Sequence, residues 1–238
     1  MRVLVTRPEP DATETGKRLL ALGHEPVMAP LLRIVFANPP TDISDPAAII
    51  LTSRNGVRAL THWPKVAFWL DRPVFVTGRA TADAARGAGF ADVRSAAGNA
   101  ADLAKLVMSE FGRDVGPILY PAARDHSGAL LSELGANGYD IRVVEAYSAE
   151  LVITLEPAIR TAIHNQSIDG VLIYSNRTAV ALRTLLDREK IAGNISRMVI
   201  FALSERAAEP LRDLAPEIQI AKKPEEDALL ALLSETDR

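Results

Sequence analysis

LTSRNGVRAL at Leu51–Leu60 and IYSNRTAVAL at Ile173–Leu182 are two versions of one short sequence. Each follows an apolar run, passes through a turn rich in Ser, Arg and Asn, and continues with the spacing of a helix. The two stretches superimpose at three positions: Ser53 with Ser175, Ala59 with Ala181, and Leu60 with Leu182. A strand, turn and helix is the unit of a parallel α/β fold, so its recurrence predicts an internal duplication.

The rest of the chain extends this pattern. Short β-branched runs alternate with Ala-rich helical segments that end near Gly23 and Gly89, where helices commonly stop. Further segments match in the same order: VLVTRP with ILYPAARD, VFVTGRATADA with VIFALSERAAEPL, and AAGNAADLAKLV with KKPEEDALLALL. The predicted strands are Val3 to Val5, Glu25 to Ala29, Ala48 to Leu51, Val74 to Val76, Ile118 to Tyr120, Ile141 to Tyr147, Gly170 to Ile173 and Met198 to Ala202. We predict an α/β fold with two similar flavodoxin-like lobes, each built on a parallel sheet.

Two segments interrupt the pattern and are predicted linkers. They are FANPPTDISDP, at about 36–46, and SAELVITLEP, at about 148–157. If both connect the same pair of lobes, lobe 1 is discontinuous and holds both termini, with residues 1–36 and 151–238. Lobe 2 then comprises residues 40–148, and a ligand cleft is expected between the lobes.

Composition excludes several classes of protein. The 238 residues are 48% hydrophobic, carry a formal net charge of only -3 and include no cysteine. Dispersed charges argue against a nucleic-acid partner, and the absence of a long apolar run argues against a membrane span. The N-terminal MRVLVTRPEP predicts a strand and not a signal sequence, so the cytoplasm is the simplest location. Scattered histidines and the lack of cysteine predict no metal site.

Six of the turns after the predicted strands share an unusual feature, since each contains an arginine. These are Arg7, Arg54, Arg79, Arg124, Arg177 and Arg206. Hydroxyl, amide and glycine residues accompany them: Thr6, Thr52, Ser53, Asn55, Gly78, Thr81, Ser175, Asn176 and Ser204. Ligands of open parallel sheets bind at such turns, and guanidinium groups suit carboxylates or phosphates. The alternative is that the hydroxyls cap helices and the arginines are solvated.

The absence of known sequence motifs narrows the choice of ligand and reaction further. The chain has no P-loop, no G-x-G-x-x-G and no G-x-S-x-G elbow, so nucleotide binding and a serine nucleophile are unsupported. Tyr147 ends the strand IRVVEAY beside a predicted linker, where its phenol either reaches a ligand or packs at the strand end. His126 is the one histidine in a predicted turn, and a surface role is its simpler interpretation.

Taken together, the segments VLVTRP, TSRNGV, VTGRATADA, ILYP, VVEAYSAE, YSNRTAV and KPEEDALL resemble the uroporphyrinogen-III synthase family in order and spacing over essentially the whole length. The resemblance implies a bilobal enzyme of heme biosynthesis without metal or cofactor, which converts hydroxymethylbilane to uroporphyrinogen III through a spiro intermediate. Water is lost and the last pyrrole ring, ring D, is inverted. A monomer is implied, and a transient contact with the preceding pathway enzyme stays open.

The resemblance also assigns residues. The ligand-facing positions would be Thr6, Arg7, Ser53, Asn55, Thr81, Tyr147, Ser175 and Asn176, with Tyr147 assisting departure of the hydroxyl as a protonated phenol. The polycarboxylate substrate would explain the turn arginines and the paired serine turns. This chain has Ser204 and Ala207 where the family usually has Gly and Thr, so Ser204 or Arg206 is the expected substitute. Two alternatives stay open: a noncatalytic bilobal protein that binds a polyanionic small molecule, and an enzyme acting on phosphorylated sugars or nucleotides.

Overall fold

The computed structural model describes residues 1–96, 98–215 and 217–236. The strands are β1 Arg2–Val5, β2 Glu25–Met28, β3 Leu32–Phe36, β4 Ala48–Leu51, β5 Val74–Val76, β6 Val93–Ser95, β7 Ile118–Ala123, β8 Ile141–Leu151, β9 Gly170–Ile173, β10 Val199–Ala202 and β11 Glu217–Ile220. The helices are α1 Asp11–Ala21, α2 Arg54–Thr61, α3 Arg79–Gly87, α4 Ala100–Glu110, α5 Ala129–Ala136, α6 Pro157–His164, α7 Asn176–Arg188, α8 Glu205–Ala208 and α9 Glu226–Thr236. Short 3-10 helices lie at Val66–Phe68, Ala192–Ile195 and Glu209–Leu211.

The chain divides into two compact units, each built on its own sheet. Unit 1 comprises Met1–Arg33 and Glu150–Arg238, and unit 2 comprises Ile34–Ala149. The sheet of unit 1 has the order β11-β10-β9-β1-β2, and the other sheet has the order β3-β8-β7-β4-β5-β6. The two divisions fall within β3 and β8, which are neighbours in the six-stranded sheet.

The predicted fold class is confirmed, and the topology explains how the repeat is used. The matched segments pair β1 with β7, β4 with β9, and β5 with β10. In each pair one strand belongs to unit 1 and the other to unit 2. Each sequence repeat therefore contributes its first strands to one unit and its later strands to the other. Both sheets share the flavodoxin-like arrangement, in which the strand order reverses between β1 and β9 and between β7 and β4.

Alternation along the strands produces two covered faces in each unit. In β4, Ile49 and Leu51 pack in one core cluster while Ala48 and Ile50 pack in another, and all four are fully buried. Helices α2 and α3 cover the first of these faces, and α4 and α5 cover the second. In unit 1, α1 and α9 cover one face of the sheet, while α6, α7 and α8 cover the other. Near-continuous apolar strands are typical of parallel sheets buried on both sides.

The structure adds elements that the sequence pattern did not predict. Strands β3, β6 and β11 were missed, and β8 continues through Leu151 into the segment predicted as the second linker. The first predicted linker begins at Phe36, the last residue of β3. No helix in the described part of the chain combines the length and apolar character needed to cross a membrane.

Candidate functional site

Four turns at the carboxyl ends of strands have nearly the same backbone geometry. The residues before α2, α3, α7 and α8 are Ser53, Gly78, Ser175 and Ser204, with φ of -155°, -156°, -157° and -161°. Each serine accepts a hydrogen bond from the N–H three residues further on. These hydroxyls therefore cap helices, which was the simpler of the two interpretations. A capping oxygen still has a proton to donate, so capping and ligand contact are compatible.

Ser53 has a second contact, with the phenol that the sequence singled out. Its Oγ lies 2.7 Å from the Tyr147 hydroxyl. Tyr147 is only 7% exposed, and its carbonyl accepts a hydrogen bond of 2.9 Å from the Arg124 N–H. Tyr147 lies within β8 and does not end it as predicted, and these contacts hold the middle of β8 against both the β7 turn and the β4 turn. The structure brings Ser53, Tyr147 and the backbone of Arg124 together in unit 2.

A second hydroxyl pair lies beside the first. Thr52 Oγ1 is 3.1 Å from the hydroxyl of Tyr120, and the carbonyl of Thr52 accepts a hydrogen bond of 3.2 Å from Thr77 Oγ1. Burial raises the pKa of Tyr120, and the hydrogen bond with Thr52 opposes this rise only in part. The rings of Tyr120 and His126 pack edge to face, with 5.8 Å between their centroids. Sequence reasoning missed Tyr120 because, in ILYP, it looked like an ordinary core residue of a strand.

The remaining predicted residues of unit 2 differ in accessibility. Asn55 Oδ1 accepts a hydrogen bond of 2.8 Å from Arg58, so its amide N–H groups are left to donate. Thr81 is buried in the first turn of α3, whereas Arg79 is exposed and Arg54 is half-buried. The side chain of Arg124 is exposed but forms an ion pair of 2.9 Å with Glu145.

In unit 1, Arg7 is already engaged by the protein. Its side chain is 12% exposed, and its guanidinium pairs with Glu226 at 2.9 Å and Asp11 at 3.3 Å and lies 4.1 Å from the centroid of the Tyr174 ring. Thr6 is fully buried, and its hydroxyl donates to the carbonyl of Leu172 at 2.6 Å. Both side chains therefore support the end of β1, and a substrate anion would compete with carboxylates for Arg7.

Glu226, at the start of α9, is the centre of this polar cluster. It accepts hydrogen bonds from Thr15 at 2.6 Å, Tyr174 at 2.7 Å, and Arg7 and Arg18 at 2.9 Å each. Burial opposes ionisation, but these donors and the two guanidinium charges prevail, and the pKa of Glu226 is lowered. Burial, reinforced by the charge of Glu226, raises the pKa of Tyr174, so its phenol remains a proton donor.

The other predicted residues of unit 1 lie at the two helix starts next to each other. Asn176 donates through Nδ2 to the carbonyl of Arg206 at 2.9 Å, which joins the turn of α7 to that of α8. Ser175, Arg177 and Arg206 are exposed, and Ser204 is half-buried. Within residues 1–96, 98–215 and 217–236, no group of three or more His, Asp or Glu side chains is placed to hold a metal ion.

These observations define an α/β protein of two flavodoxin-like units, with hydroxyl and arginine residues in the turns after the strands of both sheets. The family model for uroporphyrinogen-III synthase HemD matches residues 13–231. The chain therefore belongs to the uroporphyrinogen-III synthase family. Among individually curated proteins, none matches the sequence significantly.

Two solved structures are similar to the whole chain. The first is the uroporphyrinogen-III synthetase of Helicobacter pylori, with 17% identity, a TM-score of 0.67, and coverage of 99% of this chain and 98% of that one. The second is a mutant uroporphyrinogen III synthase of Thermus thermophilus, with 18% identity, a TM-score of 0.59, and coverage of 100% and 98%. Because both identities are low, these two similarities are evidence for the fold alone.

Family membership establishes the activity. The chain is a cyclising lyase of tetrapyrrole biosynthesis, with hydroxymethylbilane as its substrate and uroporphyrinogen III as its product. The two alternative interpretations, a noncatalytic binding protein and an enzyme of phosphorylated metabolites, receive no support from the comparisons.

Proposed function

We propose that Tyr147 is the proton donor of the cyclisation and that Ser53 sets the direction of its O–H bond. The proposal rests on the 2.7 Å contact between Ser53 Oγ and the Tyr147 hydroxyl. Ser53 Oγ already accepts from the Gly56 N–H at 3.2 Å, and its single proton can be donated to the oxygen of Tyr147. In that orientation the Tyr147 oxygen accepts from Ser53, and the phenol O–H bond is directed away from Ser53 Oγ.

The proposed reaction begins with loss of the terminal hydroxyl. The electron pair of the pyrrole nitrogen expels it, the C–O bond breaks, and the departing oxygen takes the proton of Tyr147 and leaves as water. The substituted carbon of ring D attacks the resulting azafulvene cation to form the spiro intermediate. Fragmentation and reclosure invert the ring, and the final loss of a ring proton reprotonates Tyr147. The net change is loss of one water and inversion of ring D.

We infer that the turns of both sheets bind the substrate carboxylates. The N-termini of α2, α3 and α7 offer backbone N–H groups and favourable dipoles, and Arg54, Arg79, Arg177 and Arg206 lie in the first turns of α2, α3, α7 and α8. Holding a flexible bilane in a folded conformation is expected to supply most of the acceleration. Arg7, Arg124 and Thr6 remain predicted ligand residues, although each has a protein partner.

We further propose that the protein acts as a monomer in the cytoplasm and needs no metal or cofactor. A sedimentation measurement with substrate present should then give a mass near 25.7 kDa. Dialysis against a chelator should leave the rate unchanged. A transient complex with the preceding pathway enzyme would appear as a heavier species only when both proteins are mixed.

The decisive experiment measures kcat, KM and the ratio of uroporphyrin isomers III and I with freshly made hydroxymethylbilane. We expect Tyr147→Phe to lower kcat about 10- to 100-fold, at or below the lower end of general-acid contributions of about 100- to 10,000-fold, because substrate folding is retained. The matched control is Tyr139→Phe, which removes a phenol donating to the Phe111 carbonyl at 2.8 Å, before the start of β8. An unchanged kcat in Tyr147→Phe would refute the assigned role.

A further inference from the structure

Strands β4 and β7 stop pairing before they end. Their backbone register joins Ala48 with Ile118 and Ile49 with Leu119, although β4 extends to Leu51 and β7 to Ala123. The position is special because the order of strands reverses here, and such reversal points are where open α/β sheets bind ligands.

Pro121 accounts for the early end of the ladder. The Ile118 N–H donates to the backbone carbonyl of Asp140, the residue before β8. Successive N–H groups of a strand point to alternate sides. Tyr120 therefore directs its N–H toward β8, and position 121 faces β4. Because proline has no N–H, it cannot continue the β4 ladder. The first turn of α2 approaches this point closely, since a Cβ on Gly56 would lie 3.3 Å from the Pro121 carbonyl oxygen.

The contact between Thr52 and Tyr120 joins β4 to β7 beyond Ile49 and Leu119, the last paired residues of the two strands. Tyr120 packs in one core cluster of the sheet, and Tyr147 packs in the cluster on the opposite face. Two hydroxyl pairs thus bracket the turn after β4: Thr52 with Tyr120 on one side, and Ser53 with Tyr147 on the other. Thr77 fixes the same turn from β5 through the Thr52 carbonyl.

We propose that Tyr120 is a positioning residue for the cyclisation, acting through Thr52 to hold Ser53 and thereby the hydroxyl of Tyr147. This inference rests on the proposed role of Tyr147. Tyr120 is only 3% exposed, and its hydroxyl joins β7 to Thr52 beyond the last paired residues of the β4 ladder. Loss of that hydroxyl should misdirect the phenol of Tyr147 while leaving the carboxylate-binding turns intact.

The test compares Tyr120→Phe with Tyr139→Phe in the full chain. Each variant removes one phenol hydroxyl with a hydrogen-bond partner in unit 2, and urea denaturation should show both folded under assay conditions. We expect Tyr120→Phe to lower kcat about five- to tenfold with KM changed less than twofold, since small displacements of a catalytic group are costly. Thr52→Val, which removes the partner hydroxyl, should lower kcat by a similar factor. Thr52→Ser keeps the hydroxyl and should have a kcat close to that of the wild type. Tyr139→Phe should retain the wild-type kcat.

The double variant with Tyr147→Phe separates this inference from the proposed function. If Tyr120 acts through Tyr147, Tyr120→Phe should have no further effect on kcat when Tyr147 is already phenylalanine. An equal loss in both backgrounds, or an unchanged kcat in Tyr120→Phe alone, would overturn the positioning role while leaving Tyr147 as proton donor. A normal kcat in Tyr147→Phe would overturn both the proton-donor role of Tyr147 and the positioning role of Tyr120, because the second depends on the first.

Discussion

Replacing Glu226 by glutamine should destabilise unit 1 by about 2–3 kcal/mol. Glu226 has a side chain 23% exposed and accepts four hydrogen bonds, two of them from arginines. Hydrogen bonds to charged groups contribute about 1.5–3 kcal/mol each, but the half-exposed Arg18 adds little. Arg7 dominates the estimate because the substitution leaves its buried guanidinium with Asp11 as its remaining carboxylate contact.

Urea denaturation followed by two signals measures this loss. Both tryptophans, Trp63 and Trp69, belong to unit 2, so their fluorescence reports on that unit, whereas far-UV circular dichroism reports on both. The expected change in Glu226→Gln is a lower midpoint of the circular dichroism transition. The control is Asp227→Asn in the same helical turn: Asp227 also pairs with Arg18 but is 66% exposed, and should cost less than about 0.5 kcal/mol. Equal losses in the two variants would refute the importance of the buried cluster.

The same cluster predicts how stability depends on pH. Because the pKa of Glu226 is lower in the folded than in the unfolded state, its ionisation stabilises the fold above the unfolded pKa of about 4.3. That contribution is lost as the pH falls through the folded value. The free-energy difference between the wild type and Glu226→Gln should therefore be constant near neutrality and shrink in acid. A difference independent of pH down to about pH 3 would contradict the assigned charge interactions.

Four other substitutions have definite expected outcomes. Gly170→Ala should cost about 1–3 kcal/mol in the circular dichroism transition, because the new Cβ would lie 2.6 Å from Phe201 Cε2; a neutral effect would mean that β9 and β10 can separate. Asn99→Ala removes the acceptor for the Ala101 and Asp102 N–H groups and should cost about 0.5–2 kcal/mol by tryptophan fluorescence, unless water replaces the cap without loss. Ser53→Ala should mainly lower kcat, whereas Ser175→Ala should mainly raise KM; the reverse split in steady-state kinetics would contradict the assignment of chemistry to unit 2.

The strand pattern and the helix starts could be predicted because they depend on local sequence. The apolar run at Ala48–Leu51 and the serine that follows it determine a buried strand and a capped helix without reference to distant residues. The pairing of Arg7 with Glu226 was not predictable in this way, because Glu226 belongs to the last helix and no sequence spacing connects it to the first turn. Tyr120 was missed for a different reason, since a buried tyrosine and a positioning tyrosine look alike in sequence. The role of Tyr147 remains a prediction.

The two strand-reversal points differ in their polar side chains, and this difference motivates the proposed assignment of chemistry to unit 2. Both points derive from matched segments, but the one beside β1 holds Arg7 with its carboxylate partners, whereas the one beside β4 holds the hydroxyls of Thr52, Ser53, Tyr120 and Tyr147. At the point beside β1, Arg7 is already held by two carboxylates, whereas the hydroxyl dipoles beside β4 can donate a proton and then orient toward the new charge, as the proposal requires. Duplication supplied two equivalent strand-reversal points, and the one with the paired hydroxyls is the one to which we assign formation of the azafulvene.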